Sequence, residues 1–167
     1  MRETCAASTA HADCRAKARR TRPGSIRGIM KSTNHVAVIL SAVVFFAIGA
    51  GWYTALANPW MTGIGKSMEQ LAKEGAGSPV PMVIGFLAIL VMCYTLNSLL
   101  NRLGETTAGG GAMTAALVAL GLVAANIALN YGFEMRGVGL WLINSGYALI
   151  GLVAAGAIIG GWRKKST

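Results

Sequence analysis

The chain has 167 residues, the size of one domain, and its composition is 54% hydrophobic and only 13% charged. A soluble domain carries about 25% charged residues, which it needs to cover its surface in water. The composition therefore excludes an ordinary soluble globular enzyme and predicts an integral membrane protein.

The net charge of +9 comes mainly from the two ends of the chain. Of the fifteen Lys and Arg residues, eight lie within residues 1–31 and three more are residues 163–165. A nucleic-acid module needs aromatic or polar side chains interleaved with its basic residues, and this interleaving is missing from residues 2–31. We therefore expect no nucleic-acid partner and assign the flanking charge to orientation in a membrane.

Residues 1–33 form a basic leader ahead of the first apolar segment. The leader is rich in Arg, Ala, Ser and Thr, and its acidic residues are Glu3 and Asp13. This composition fits a disordered basic arm or an organellar transit peptide. A third interpretation, which we favour, is a misplaced start, with Met30 followed by Lys31 as the true initiator.

Four apolar segments are each long enough to cross a membrane as a helix. About 20 residues at about 1.5 Å per residue span a hydrocarbon core of about 30 Å, and a helix satisfies its own backbone hydrogen bonds. The predicted fold is therefore all-α, a bundle of four transmembrane helices within residues 34–162. The connection 61–77 is long enough for a short surface helix. The predicted spans are residues 36–57, 80–100, 112–131 and 138–162.

The first span also carries a feature of a cleaved signal peptide, because Ala55, Leu56 and Ala57 form an A-x-A-like site. The apolar core of a signal peptide is about 7 to 15 residues long, and this stretch is longer. It also ends in Trp52 and Tyr53, residues typical of a membrane interface. We therefore predict a retained helix.

The distribution of Lys and Arg predicts the orientation, because these residues are retained on the cytoplasmic side of a membrane. With the N-terminus inside, twelve basic residues are cytoplasmic and three, Lys66, Lys73 and Arg136, are outside. Without residues 1–29 the counts are five and three, which keeps the same direction. We predict a multi-pass cell-membrane protein with both termini cytoplasmic and a basic tail at residues 163–167.

The sequence offers no recognisable catalytic constellation. Cys5, His11 and Cys14 are irregularly spaced and have no fourth partner, so they match no zinc pattern. Residues 109–111 are glycines, but no Gly-Lys-Ser or Gly-Lys-Thr follows them as in a phosphate-binding loop. We predict no metal, no cofactor and no enzymatic activity.

Blocks of polar and aromatic residues at both ends of the apolar region resemble those of a known family. The blocks are NHVAV at 34–38, GAGWY at 49–53, WM at 60–61, NYGFE at 130–134 and LINSGY at 142–147. On these motifs the chain resembles the domain-of-unknown-function 1761 family of small, mainly bacterial membrane proteins. The resemblance covers residues 34–162 and implies a four-helix domain of the bacterial inner membrane with no known activity. The chain departs from the family in its basic leader and at residues 56–59, where the family usually carries an aromatic residue before the tryptophan.

Polar and aromatic residues are predicted to converge at one end of the bundle, at the outer face of the membrane. Asn126 and Asn130 are four residues apart and share a helix face with small residues, as does Asn144, so we expect these faces to point inward. The candidate outer-face cluster comprises Trp52, Tyr53, Trp60, Asn126, Asn130, Glu134, Asn144 and Tyr147.

Two functions compete for this cluster. The asparagines can hydrogen-bond across helices while the aromatic rings lie at the interface, which predicts a structural or interaction component of the membrane. Alternatively, the cluster is a pocket of a small-molecule or lipid binder or transporter. The spans contain no internal Asp, Glu, Lys or Arg of the kind ion-coupled carriers use, which favours the first function. The expected partners are the lipid bilayer and a second copy of the chain, contacted through the G-x-x-x-G pair Gly156 and Gly160.

Overall fold

The computed structural model describes residues 33–162, so the predictions for the leader and for the tail fall largely on residues outside the described part of the chain. All regular structure in residues 33–162 is helical. The elements are α1 (His35–Ala55), α2 (Ala57–Ile64), α3 (Met68–Lys73), α4 (Pro79–Leu103), α5 (Ala108–Val118), a π-helical segment (Ala119–Ala124), α6 (Ala125–Phe133) and α7 (Val138–Gly161).

Four helices are long and apolar enough to cross a membrane, which confirms that part of the predicted fold. They are α1, α4, α7 and the continuous helix Ala108–Phe133, which joins α5, the π-helical segment and α6. Every boundary lies within four residues of the predicted span. Composition favours these helices because a long apolar segment in a bilayer can satisfy its backbone hydrogen bonds within itself only as a helix.

Local capping residues fix where these helices begin and end. The side chain of Asn34 accepts a hydrogen bond from the backbone N–H of Ala37 at 3.2 Å, which caps the start of α1. Pro79 opens α4, where its missing N–H costs no helical bond. Gly104 ends α4 with φ of 72°, a left-handed conformation that glycine adopts without steric cost.

The connection between α1 and α4 contains two short helices. α3 lies within the predicted surface helix region, and its N-terminus is a capping box of Ser67 and Gln70. α2 follows α1 after the single residue Leu56 and was not predicted. Pro59 lies in the first turn of α2, where proline is tolerated. Asn58 and Pro59, which directly follow the predicted span 36–57, therefore belong to a second helix.

The last helix, α7, contacts all three of the other long helices. Close approach depends on its glycines, because a methyl group at Gly156 would overlap the Gly111 carbonyl oxygen and the Ala115 methyl group of α5. At Gly151 a methyl group would overlap the ring of Phe45 on α1. The buried apolar residues of the core are Val38, Ala42, Phe45, Ile89, Cys93, Leu96, Leu100, Ala115, Ala119, Leu152, Ala155 and Ile159.

The predicted dimer contact through Gly156 and Gly160 is wrong for this fold. Both glycines are buried against α5 of the same chain, with Gly160 facing the backbone of Thr107 and Gly111. The small side chains bring together two helices of one chain, which leaves no surface at these residues for a second copy.

The outer surfaces of the long helices are strongly apolar. Within an apolar stretch of 18 residues, only 28% of the residues are buried in α4 and only 17% in helix 108–133. Val91 and Leu117, for example, are 65% and 67% exposed. A monomeric soluble protein rarely exposes so much contiguous apolar surface, so this surface suits lipid or other membrane helices.

We expect Gly156→Ala to lower the free energy of unfolding by about 1–3 kcal/mol, the usual cost of overpacking a close contact. Gly139→Ala is the matched control on the same helix, because nothing lies within 4 Å of a methyl group at that position. Thermal unfolding in detergent measures both variants. Equal unfolding temperatures would contradict the close approach of α5 and α7.

Candidate functional site

Three helices meet at the side chain of Asn144 on α7. The Tyr53 hydroxyl of α1 donates a hydrogen bond to Asn144 Oδ1 at 2.7 Å. Asn144 Nδ2 donates in turn to the Tyr131 hydroxyl of α6 at 2.6 Å. Both functional groups of one amide are therefore used within the chain. We call Tyr53, Tyr131 and Asn144 the amide cluster, and the end of the helices where it lies the Asn144 end.

Aromatic rings enclose the α1 side of the amide cluster. The Tyr53 ring lies edge-on to the rings of Tyr147 and Trp60, with centroids 5.3 Å and 5.7 Å away. Phe45 continues this packing, with its centroid 5.1 Å from that of Tyr147. A methyl group at Gly49 would lie 2.9 Å from the Tyr147 ring, so this glycine makes room for the tyrosine. Such edge-on pairs stabilise packing beyond the burial of their area.

Two tryptophans at the same end bind the backbone of neighbouring helices. Trp52 Nε1 on α1 donates to the Ile143 carbonyl oxygen on α7 at 3.0 Å. Trp141 Nε1 on α7 donates to the Ala124 carbonyl oxygen, at the end of the π-helical segment, at 3.0 Å. Both indole N–H groups therefore hold helices together within the chain.

The π-helical segment determines which residues of α6 face α7. From α5 to the first residue of the π-helical segment the buried positions recur every four residues, at Gly111, Ala115 and Ala119, but the next one is Ala124, five residues later. A π turn accommodates one extra residue, so every residue after it is displaced by one position around the helix. Tyr131 thereby reaches the inner face and the amide cluster.

The expected inward orientation of Asn126 and Asn130 is wrong. Both residues are exposed, and Asn130 Nδ2 donates to the backbone carbonyl oxygen of Asn126 at 2.8 Å. Our prediction assumed that the α-helical period continues through residues 119–124. The π turn breaks that period and turns both asparagines outward.

Glu134 also lies apart from the amide cluster. Its carboxylate forms an ion pair with Arg136 in the connection between α6 and α7. The Arg136 guanidinium carbon lies 5.6 Å from the centroid of the Tyr131 ring, within the range of a cation–π contact. Both charged side chains are partly exposed, which makes them a solvated pair at the Asn144 end.

The structure therefore brings together five of the eight predicted site residues: Trp52, Tyr53, Trp60, Asn144 and Tyr147. Asn126, Asn130 and Glu134 lie apart from them. Sequence reasoning missed Tyr131 and Trp141. Tyr131 lies in the NYGFE block that carried the family resemblance, and this was the available signal for it.

A second polar group lies at the opposite end, where α1 begins and α4 ends. His35 Nδ1 lies 3.0 Å from the Tyr94 hydroxyl, and Asn97 Nδ2 donates to Thr33 Oγ1 at 3.2 Å. Within residues 33–162, no three His, Cys, Asp or Glu side chains come close enough together to hold a metal ion.

A shallow, open cavity of about 610 Å³ lies beside α2, in the segment that follows Trp60. Lys66, which lines it, is paired with Glu74. The cavity is lined by Asn58, Met61, Thr62, Gly65, Lys66, Ser67 and Met68.

The amide cluster predicts opposite outcomes for two asparagine substitutions. Asn144→Leu removes two interhelical hydrogen bonds, each worth about 0.6–1.7 kcal/mol in a membrane, and we expect a clear loss of thermal stability in detergent. Asn130→Leu removes only a bond within its own helix and should leave the unfolding temperature nearly unchanged. If the two variants unfold alike, the assignment of their faces is wrong.

Comparison with known proteins agrees with the sequence motifs. The family model described as a protein of unknown function, DUF1761, matches residues 36–160, which include all four long helices almost completely. No curated protein and no solved structure matches the chain. The matched region contains every residue of the amide cluster, and on this match the chain belongs to the domain-of-unknown-function 1761 family.

Proposed function

We propose that the chain is a structural or interaction component of the cell membrane that works through its outer surface. The observation that carries this proposal is the amide cluster. Asn144 uses its oxygen on Tyr53 and its nitrogen on Tyr131, so its amide is already occupied within the chain. These two hydrogen bonds leave one N–H and one oxygen lone pair of the amide, but they fix its position between three helices, which suits a structural link.

The charge distribution in the long helices supports the same proposal. Among Asp, Glu, Lys and Arg, only Arg102 lies within these four helices, and it is in the last turn of α4. Ion-coupled carriers usually place an ionisable side chain within the membrane. We further propose that the chain is not an enzyme and takes no cofactor, since the amide cluster contains no histidine, carboxylate or thiol to act as acid, base or nucleophile.

The second candidate is a small-molecule or lipid binder with a pocket at the outer face. The cavity beside α2 favours it, because Thr62, Lys66 and Ser67 line it together with Met61 and Met68. A mixture of polar groups and flexible apolar side chains suits a ligand with a polar head and an apolar tail.

Native mass spectrometry of the protein extracted gently from its own membrane distinguishes the two candidates. We expect a second copy or another membrane protein to remain bound, and no small molecule whose retention depends on Asn144. Asn144→Ala is the test variant and Asn130→Ala is its matched control. A small molecule retained by the unsubstituted protein and lost either from Asn144→Ala or from Lys66→Ala, which alters the cavity beside α2, would refute the proposal and favour the binder.

We also propose that both termini are cytoplasmic, on the distribution of Lys and Arg. A reporter that is active only in the cytoplasm, fused after Thr167, should therefore be active. The matched fusion within the connection between α6 and α7, at Gly137, should be inactive because one span separates the two sites. The opposite pattern would reverse the orientation.

A further inference from the structure

Two irregularities of the backbone flank the nine-residue helix α6. The π-helical segment Ala119–Ala124 precedes it, and Met135 follows it with φ of 54°. A left-handed conformation is unfavourable for a residue with a side chain such as methionine. The helix is therefore joined to the rest of the chain by an unusual turn on each side.

The outward face of α6 is also unusual. Asn126 and Asn130 are exposed beside Leu122, Leu129 and Phe133, which are 68%, 60% and 85% exposed. Amide side chains on an otherwise apolar face are unfavourable next to lipid. Asparagine is therefore out of place on this face, whereas it would suit a face packed on another helix.

If the residues of α6 were displaced by one position around the helix, residues of its outward face would replace those of its inward face. With the π turn, the inner face after Ala119 runs through Ala124, Ile127 and Tyr131, with Val123 at its edge and packed against the core; we call this the tyrosine register. If residues 119–124 were α-helical, the same positions would be taken by residues one earlier in the chain, because a π turn holds one extra residue. Val123 would then move from the edge to the centre of the inner face, and Asn126 and Asn130 would follow it; we call this the asparagine register.

We propose that α6 is a rotating segment that moves between the tyrosine register and the asparagine register. In the second register the π turn becomes α-helical, α6 turns by about 100° and its extra residue passes into the connection at 134–137. Asn126 and Asn130 turn inward, and Tyr131 leaves Asn144. The rotation also displaces the Ala124 carbonyl oxygen that accepts from Trp141 Nε1. The rotation changes the surface that the segment presents to its surroundings from amide to apolar and phenolic.

Fluorine NMR of the full chain in lipid nanodiscs tests this proposal. The chain has four tyrosines, so replacing them with 3-fluorotyrosine gives few signals, and Tyr131→Phe assigns that of Tyr131. A minor conformer is typically populated at about 0.1–10%, within reach of saturation transfer. We expect the Tyr131 signal to exchange with such a minor signal. A Tyr131 signal without an exchange partner would overturn the proposal.

Removal of Gly121 gives the first control. Gly121 lies in the π-helical segment, and nothing lies within 4 Å of a methyl group at that position. Its deletion removes the extra residue, so the segment can become α-helical while Tyr131 stays opposite Asn144. We expect the major Tyr131 signal to remain and the minor one to be lost, because the shortened segment has no extra residue to release. A minor signal that persists would show that it does not arise from the π turn.

Tyr131→Phe gives a second measurement that does not depend on a deletion. It removes the bond that holds the tyrosine register, so the minor signal of Tyr53, which shares Asn144, should grow by about threefold to twentyfold, the fold-change for one interhelical hydrogen bond in a membrane. Tyr94→Phe, at the opposite end, is the matched control and should not change it. An equal Tyr53 signal in both variants would overturn the proposal.

Discussion

The two hydrogen bonds of the Asn144 amide determine how the long helices are arranged at the Asn144 end. Its helix, α7, contacts the three other long helices, and its oxygen and nitrogen bind tyrosines from two of the other chain segments. Asn144 is half-buried, and an unpaired amide is costly in an apolar environment, so both of its partners stabilise it in this position. The glycines of α7 allow the helices to approach closely. The hydrogen bonds of the Asn144 amide then hold Tyr53 of α1 and Tyr131 of α6 against α7.

Periodicity explains both what could be predicted from the sequence and what could not. The long helices follow from apolar length, and the small face of α7 follows from regular α-helical spacing, which α7 keeps as far as Gly161. The same reasoning failed for Asn126 and Asn130 because residues 119–124 form a π turn. That segment contains no proline and only one glycine, so nothing local in the sequence marks the change of period. Tyr131 was missed for the same reason, since a straight α-helix turns it away from α7.

Polar side chains are concentrated at the two ends of the helices, and their middle is apolar. The amide cluster lies at one end, and the His35–Tyr94 and Asn97–Thr33 contacts lie at the other. These polar contacts join helices within one chain, which supports a function exercised through the outer surface. The exposed amides of Asn126 and Asn130 on α6 are the exception. The π turn directs them outward, and a rotation of α6 would turn them inward.

A double-mutant cycle measures whether Asn144 and Tyr131 bind each other where the π turn brings them together. The free energy of unfolding is measured in lipid-like detergent for Tyr131→Phe, Asn144→Ala and the combined variant. A coupling free energy of about 0.6–1.7 kcal/mol is expected for this pair, with none for the control cycle of Asn130→Ala and Asn144→Ala. Coupling of Asn144 to Asn130 and not to Tyr131 would show that Asn130, and not Tyr131, faces α7.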